Sequence, residues 1–188
     1  VHKVKVNGFW IDKYLVTNAQ FLKFVKATGY VTTAERPANP EDYPGADPTL
    51  LQPASIVFTP PPSRVEMDNH YNWWNYVRGA NWRHPEGPGS NVKGREKHPV
   101  VHVTFEDALA YAAWANKALP TEAEWEYACK ANDETTDLNL KEQVWYRENS
   151  NQTYQKVGTK KPNQFGLYDM PGNIAEWTTD QFYQDYIH

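Results

Sequence analysis

Residues 163–177 read NQFGLYDMPGNIAEW, and the fold turns on how they are parsed. Phe165, Gly166, Leu167 and Tyr168 have the look of a short strand and turn. Gly172 and Asn173 then form a second turn, which leads Ile174 to Trp177 into a further strand. Two carboxylates, Asp169 and Glu176, flank that second turn.

Upstream, three stretches carry helix signals. Thr121 stands three residues before Glu124, a capping box, and Trp125, Ala128 and Cys129 follow on one face, so a helix is expected over residues 122–130. Thr104 and Asp107 open another, with Ala108, Tyr111, Ala112 and Ala115 at helical spacing over residues 105–116. Thr17 and Gln20 open the first, over residues 18–28, with Phe21, Leu22, Phe24 and Val25 before a terminating Gly29. A strand, turn and strand is expected from Val4 to Ile11, and a short buried strand over residues 100–103. Eight of the 14 prolines fall in residues 35–65, which read as a long irregular loop held to the surface by Leu50, Leu51, Ile56, Val57 and Phe58. The polar, acidic residues 131–143 read as a second loop.

The 188 residues can bury a core without staples, and no apolar run approaches the roughly 18 residues of a membrane helix. Net charge is -4 with no basic block, which argues against nucleic acid and against an anionic membrane surface. Aromatics make up 14% of the chain, too many bulky groups around residues 71–77 for one core, so some should line a surface or cleft. The single Cys129 excludes an internal disulfide, a redox pair and a cysteine-rich zinc site. Neither a Ser-His-Asp order, a P-loop nor a dinucleotide fingerprint is present.

Five phrases carry a resemblance: FWID with VTN (residues 9–12 and 16–18), GANWRHPEGP (79–88), HPVVHV (98–103), LPTEAEWEY (119–127) and NQFGLYDMPGNIAEW (163–177). In this order they resemble the formylglycine-generating enzyme, or sulfatase-modifying factor, family. The resemblance implies an α+β, C-type-lectin-like fold, a twisted antiparallel sheet with few helices and much irregular loop. It also implies one domain over residues 1–188, incomplete at both ends. The implied activity is oxidation of a sulfatase cysteine to Cα-formylglycine, using O2 and a copper(I) ion (Cu+) held by two cysteine thiolates, which suit a soft ion. Those thiolates lie beyond the GN-x-x-EW phrase and are not in this chain. The implied partner is a cysteine-containing peptide segment of a sulfatase, and the protein is expected to be a monomer with no nucleic-acid partner and no membrane span. Family members occur in bacterial cytoplasm and in secretory compartments, so the compartment stays open. Cys129 matches a family cysteine that can be disulfide-bonded; an inert buried thiol is the alternative.

The resemblance also implies calcium at Asp169, Gly172, Ile174 and Glu176, through two carboxylates and two backbone carbonyls, the oxygen donors hard Ca2+ takes. A turn with two solvated carboxylates is the plain alternative. Trp73 and Trp74 are the substrate-binding candidates, since rigid aromatics anchor peptides well; packing in a core would explain them equally. Arg83, His84 and Glu86 fit a hydrogen-bonded loop brace. His98 and His102 are about 13 Å apart if extended, too far to share a metal. Glu122, Glu124 and Glu126 fit capping and helix-dipole complementarity. A non-catalytic binding or scaffold module of the same superfamily is the rival reading, since VWYRENS (144–150) and TTDQFYQDY (178–186) resemble such bacterial proteins equally well. The iron-dependent sulfoxide synthases rank last, because their histidine-rich helical domain has no counterpart in this sequence.

Overall fold

The computed structural model describes residues 4–131 and 140–181. They belong to two compact units, Val16–Ala115 and Val1–Leu15 with Asn116–His188. The architecture is α+β: a few short helices, one small antiparallel sheet and long stretches of turn.

In the first unit, helix α1 (Asn18–Thr28) starts at Thr17, whose hydroxyl accepts the Gln20 N–H at 3.3 Å while Gln20 Oε1 accepts the Thr17 N–H at 2.9 Å. It ends at Gly29 with φ 69°, a left-handed cap that glycine adopts without strain. Phe21, Phe24 and Val25 are buried against Trp82 and Val100, and a fully buried phenylalanine contributes about 1.5–3 kcal/mol. Helix α2 (Phe105–Trp114) brings Tyr111 onto Phe21, ring centroids 5.8 Å apart. Its Asp107 is fully buried but well used, accepting the Thr104 N–H at 2.9 Å, the Thr33 N–H at 3.1 Å and the Tyr30 hydroxyl at 3.0 Å.

The Pro-rich residues 35–65 are more ordered than the expected irregular loop. Short 3-10 turns at Thr33–Glu35, Pro40–Asp42 and Pro48–Leu51 lead into strand β1 (Ala54–Phe58), which pairs antiparallel with β2 (Trp74–Arg78) in the register Ile56 opposite Tyr76. The apolar anchors Ile56, Val57 and Phe58 were half of this hairpin. The expected strand at 100–103 is absent. Val100 donates once to the Val16 carbonyl, at 2.9 Å, beside a lone bridge between Thr17 and Pro99. Pro99 offers no N–H, and His102 turns to φ 58°, so no ladder continues.

In the second unit, helix α3 (Glu122–Lys130) is capped by Thr121 and Glu124, as its sequence predicts. Ala128, Leu167 and Met170 form its core, with Phe9 and Ile11 packed against them. Trp10 is fully exposed. Phe9 and Ile11 thus turn inward and Trp10 outward, but among the described residues no strand pairs with them, and residues 4–11 carry no regular secondary structure. Residues 144–181 are turns, bends and irregular chain without helix or strand; the strands expected around residues 165–168 and after Gly172 do not form. Single main-chain bonds fasten them instead, Tyr168 N–H to Lys13 O at 3.1 Å and Thr179 N–H to Pro120 O at 2.9 Å. Of the loop expected at 131–143, residues 132–139 lie outside the described residues, and Leu140–Gln143 is a single helical turn, α4.

Candidate functional site

The turn after Asp169 is held by contacts that leave little freedom. Asp169 takes a left-handed φ of 61° and is 1% exposed; its Oδ2 accepts the Gly158 N–H at 2.8 Å. Its Oδ1 is buried without a hydrogen-bond partner. At Gly172 a Cβ would sit 2.5 Å from the Trp145 carbonyl oxygen and 2.5 Å from Val144 Cγ1, so the position admits only glycine without rearrangement. Asn173 donates its N–H to that same Trp145 carbonyl at 3.0 Å. Its side chain clamps Gln155 from both sides, Oδ1 accepting the N–H at 2.8 Å and Nδ2 donating to the carbonyl at 3.0 Å.

Beside this turn lies an open cleft of about 630 Å³, whose walls include Trp125, Cys129, Met170, Gly172, Ile174 and Glu176. Glu176 keeps exposed surface, yet its carboxyl is crowded enough that burial, and then the charge of Asp169, push its pKa up to about 7, against the pull of the Trp125 indole. Burial also raises Asp169 above the usual carboxylate range. The Cys129 thiol is pushed up by burial and then by the Glu176 and Glu126 carboxylates. Two carboxyls whose charges oppose one another, Glu176 in the cleft and the buried Asp169 with an unsatisfied oxygen, form a site that would hold a cation better than it holds two negative charges. Among the described residues no three His, Cys, Asp or Glu side chains gather into a metal cluster, so backbone carbonyls would have to complete the donor set.

The sequence candidates fall in both units. Asp169, Gly172, Ile174 and Glu176 sit on one turn segment in the second unit, whereas Trp73 and Trp74 belong to the first. Trp73 is half-buried and its carbonyl accepts the Thr59 N–H at 2.8 Å. Trp74 on β2 stands edge to face with Phe58, centroids 5.5 Å apart, on the sheet face that also bears the exposed Ile56 and Tyr76. The expected loop brace is present. Arg83 lies 4.2 Å over the buried Trp82 ring and pairs with Glu35, which also accepts the indole N–H at 3.1 Å. His84 Nδ1 bonds the Ser90 carbonyl, and Glu86 pairs with Arg95. Both ring nitrogens of His102 are engaged, by Ser55 Oγ at 2.9 Å and Pro85 O at 2.8 Å. Glu124 caps α3, and Glu126 pairs with Lys130. Trp125 was read only as a helix-face residue; its place in the cleft wall could not be seen without the turn that brings Glu176 opposite.

Residues 1–187 match the sulfatase-modifying factor enzyme 1-like domain. The chain is 44% identical to the formylglycine-generating enzyme of Mycobacterium tuberculosis, over 97% of this chain and 67% of that protein. It is 34% identical to the inactive C-alpha-formylglycine-generating enzyme 2 of Bos taurus, over 97% and 63%. It thus spans about two thirds of the length of these relatives. A solved structure, PvdO from Pseudomonas aeruginosa, shares the fold with a TM-score of 0.55 at 24% identity, covering 93% of this chain and 57% of that one. No helix among the described residues is long and apolar enough to cross a membrane.

Proposed function

Because the chain belongs to the sulfatase-modifying factor enzyme 1-like family, we propose that it forms part of an oxidase that converts a cysteine of a sulfatase segment to Cα-formylglycine, with O2 and copper. The observation that carries this reading is the 44% identity to the Mycobacterium tuberculosis formylglycine-generating enzyme, sustained over 97% of the chain.

Each part of the chain then has a role. Calcium fits Asp169 and Glu176 with the carbonyls of Gly172 and Ile174, because Asp169 Oδ1 is buried without a partner and the charge of Asp169 acts against that of Glu176. The ion would supply positive charge to the turn; the residues themselves fix where the oxygens stand, through the Gly158 N–H on Asp169 and the Asn173 clamp on Gln155. Trp73 and Trp74 would anchor the extended cysteine segment, Trp74 offering an exposed ring backed by Phe58. Copper does not fit this chain's own residues. Its one thiol, Cys129, is held protonated by burial and neighbouring carboxylates, and a two-thiolate site needs a second sulfur. We therefore assign the copper ligands to sequence outside these 188 residues.

Expression of the complete reading frame and incubation with a Cys-x-Pro-x-Arg peptide, copper and O2 should produce the mass loss of aldehyde formation; no loss refutes the oxidase. For the ion, chelation should lower the melting midpoint, and an unchanged midpoint, with Asp169→Ala and Glu176→Ala silent, removes calcium. The 34% identity to a relative named inactive favours a second reading, a non-catalytic binding module. Under it the peptide binds without any change of mass.

A further inference from the structure

Two buried side-chain atoms of the second unit lack a hydrogen-bond partner and belong to one chemical problem. One is the acceptor Asp169 Oδ1. The other is Trp125 Nε1–H, a donor that can do nothing but donate. Burying an indole N–H unpaired costs about 1–3 kcal/mol, so its persistence at N4 of α3, where phenylalanine would pack as well, needs a reason. Trp125 and Glu176 line the same cleft, and no other partner takes the indole. The indole N–H lies close enough to the Glu176 carboxyl to interact with it, short of a full hydrogen bond.

We propose that Trp125 is a positioning residue for the cation site: its indole N–H takes one Glu176 oxygen and turns the other toward the ion shared with Asp169. Trp125 touches neither ion nor substrate, and acts only by fixing the rotamer of a ligand. Carboxylate ligands are commonly oriented by such a donor behind them. The arrangement rests on the calcium reading above and adds a residue to it. Helix α3 is suited to the task. Its capping box of Thr121 and Glu124, with Asp180 accepting the Glu122 N–H, fixes the first turn and hence the direction of the next side chain, Trp125.

Calorimetric titration of the complete chain with CaCl2 tests this. Trp125→Phe keeps the ring and removes the donor, and it is expected to bind calcium about 10- to 100-fold more weakly than the unaltered protein, with its metal-free melting midpoint little changed. Equal dissociation constants overturn the role of Trp125 and leave the calcium reading standing. Loss of metal-free stability at unchanged affinity points to packing alone and overturns it too. If the unaltered protein takes up no calcium, both fall. A measurement that needs no variant is the indole N–H region of the proton-nitrogen spectrum: calcium should shift one indole signal, and eight unmoved signals overturn the proposal.

Discussion

Gly172→Ala isolates the steric demand of the turn. A Cβ there would stand 2.5 Å from the Trp145 carbonyl oxygen and 2.5 Å from Val144 Cγ1, while real Cβ atoms essentially never come inside 3.0 Å. Each neighbour would have to retreat by at least the difference of the two figures. Neither can do so freely: Val144 is 3% exposed, and the Trp145 carbonyl already accepts the Asn173 N–H at 3.0 Å. Overpacking of this kind costs about 1–3 kcal/mol. For a chain of this size that is a fall of roughly 2–12 °C in melting midpoint, at about 2–4 °C per kcal/mol. Thermal melting followed by circular dichroism reads it, with Gly8→Ala as control, since a Cβ at Gly8 meets nothing within 4 Å and should stay within about 0.5 kcal/mol. Adding Val144→Ala relieves only the side-chain clash, so the double variant should not recover fully. If Gly172→Ala melts with the unaltered protein, the close approach is wrong.

Asp107→Asn should cost about 1.5–3 kcal/mol in denaturant unfolding, because the charged acceptor of Tyr30, Thr33 and Thr104 is lost. It should also let Tyr30, pushed up to about 12 by burial and then by Asp107, ionise at lower pH in an ultraviolet titration; an unmoved Tyr30 contradicts the contact. Burial lowers His102 from its ordinary value, so its neutral form is favoured by folding. Its contribution is complete above pH of about 6.5 and is lost as the pH falls through the lower folded-state value, a dependence that His102→Gln should erase from the stability profile. Burial works to raise Glu35, but bonds from Thr32, Arg83 and Trp82 outweigh it and hold the carboxyl below its usual range. Stability from Glu35 is thus present above about pH 4.3 and lost on acidification, and Glu35→Gln should flatten that acid limb.

Helices α1, α2 and α3 were legible because each carries its own boundary chemistry: a threonine at Thr17, Thr104 or Thr121, its partner three residues on, and apolar residues at helical spacing. The end of α2 was set two residues too late: Ala115, the cap, still donates to the Tyr111 carbonyl at 3.0 Å, but Asn116 turns to a left-handed φ of 56° and ends the helix. The sheet was hidden for the opposite reason. Residues 54–58 alternate, but their outward face bears Ile56 and Phe58, so no polar residues marked a solvent side, and prolines on both flanks suggested irregular chain. The over-read strands near the start have their own cause: side chains that turn inward, as Phe9 and Ile11 do, do not show whether another strand lies alongside.

For the ion site, sequence placed the four oxygen-bearing positions on one turn segment but could not weigh solvation. Two exposed carboxylates spaced as Asp169 and Glu176 are would gain little from a cation, and the spacing is the same in either case. The burial of Asp169 at 1% exposed, with one oxygen bonded to Gly158 and the other to nothing, favours the proposed cation. A lone buried carboxylate oxygen is costly, no side chain donates to it, and the Glu176 carboxylate opposes its charge. Asn in place of Asp169 would keep the bond to Gly158 and remove the charge. Asp169→Asn should therefore be no less stable than the unaltered protein without metal and gain less from calcium, and a melting midpoint that responds equally to calcium in both would remove Asp169 from the site.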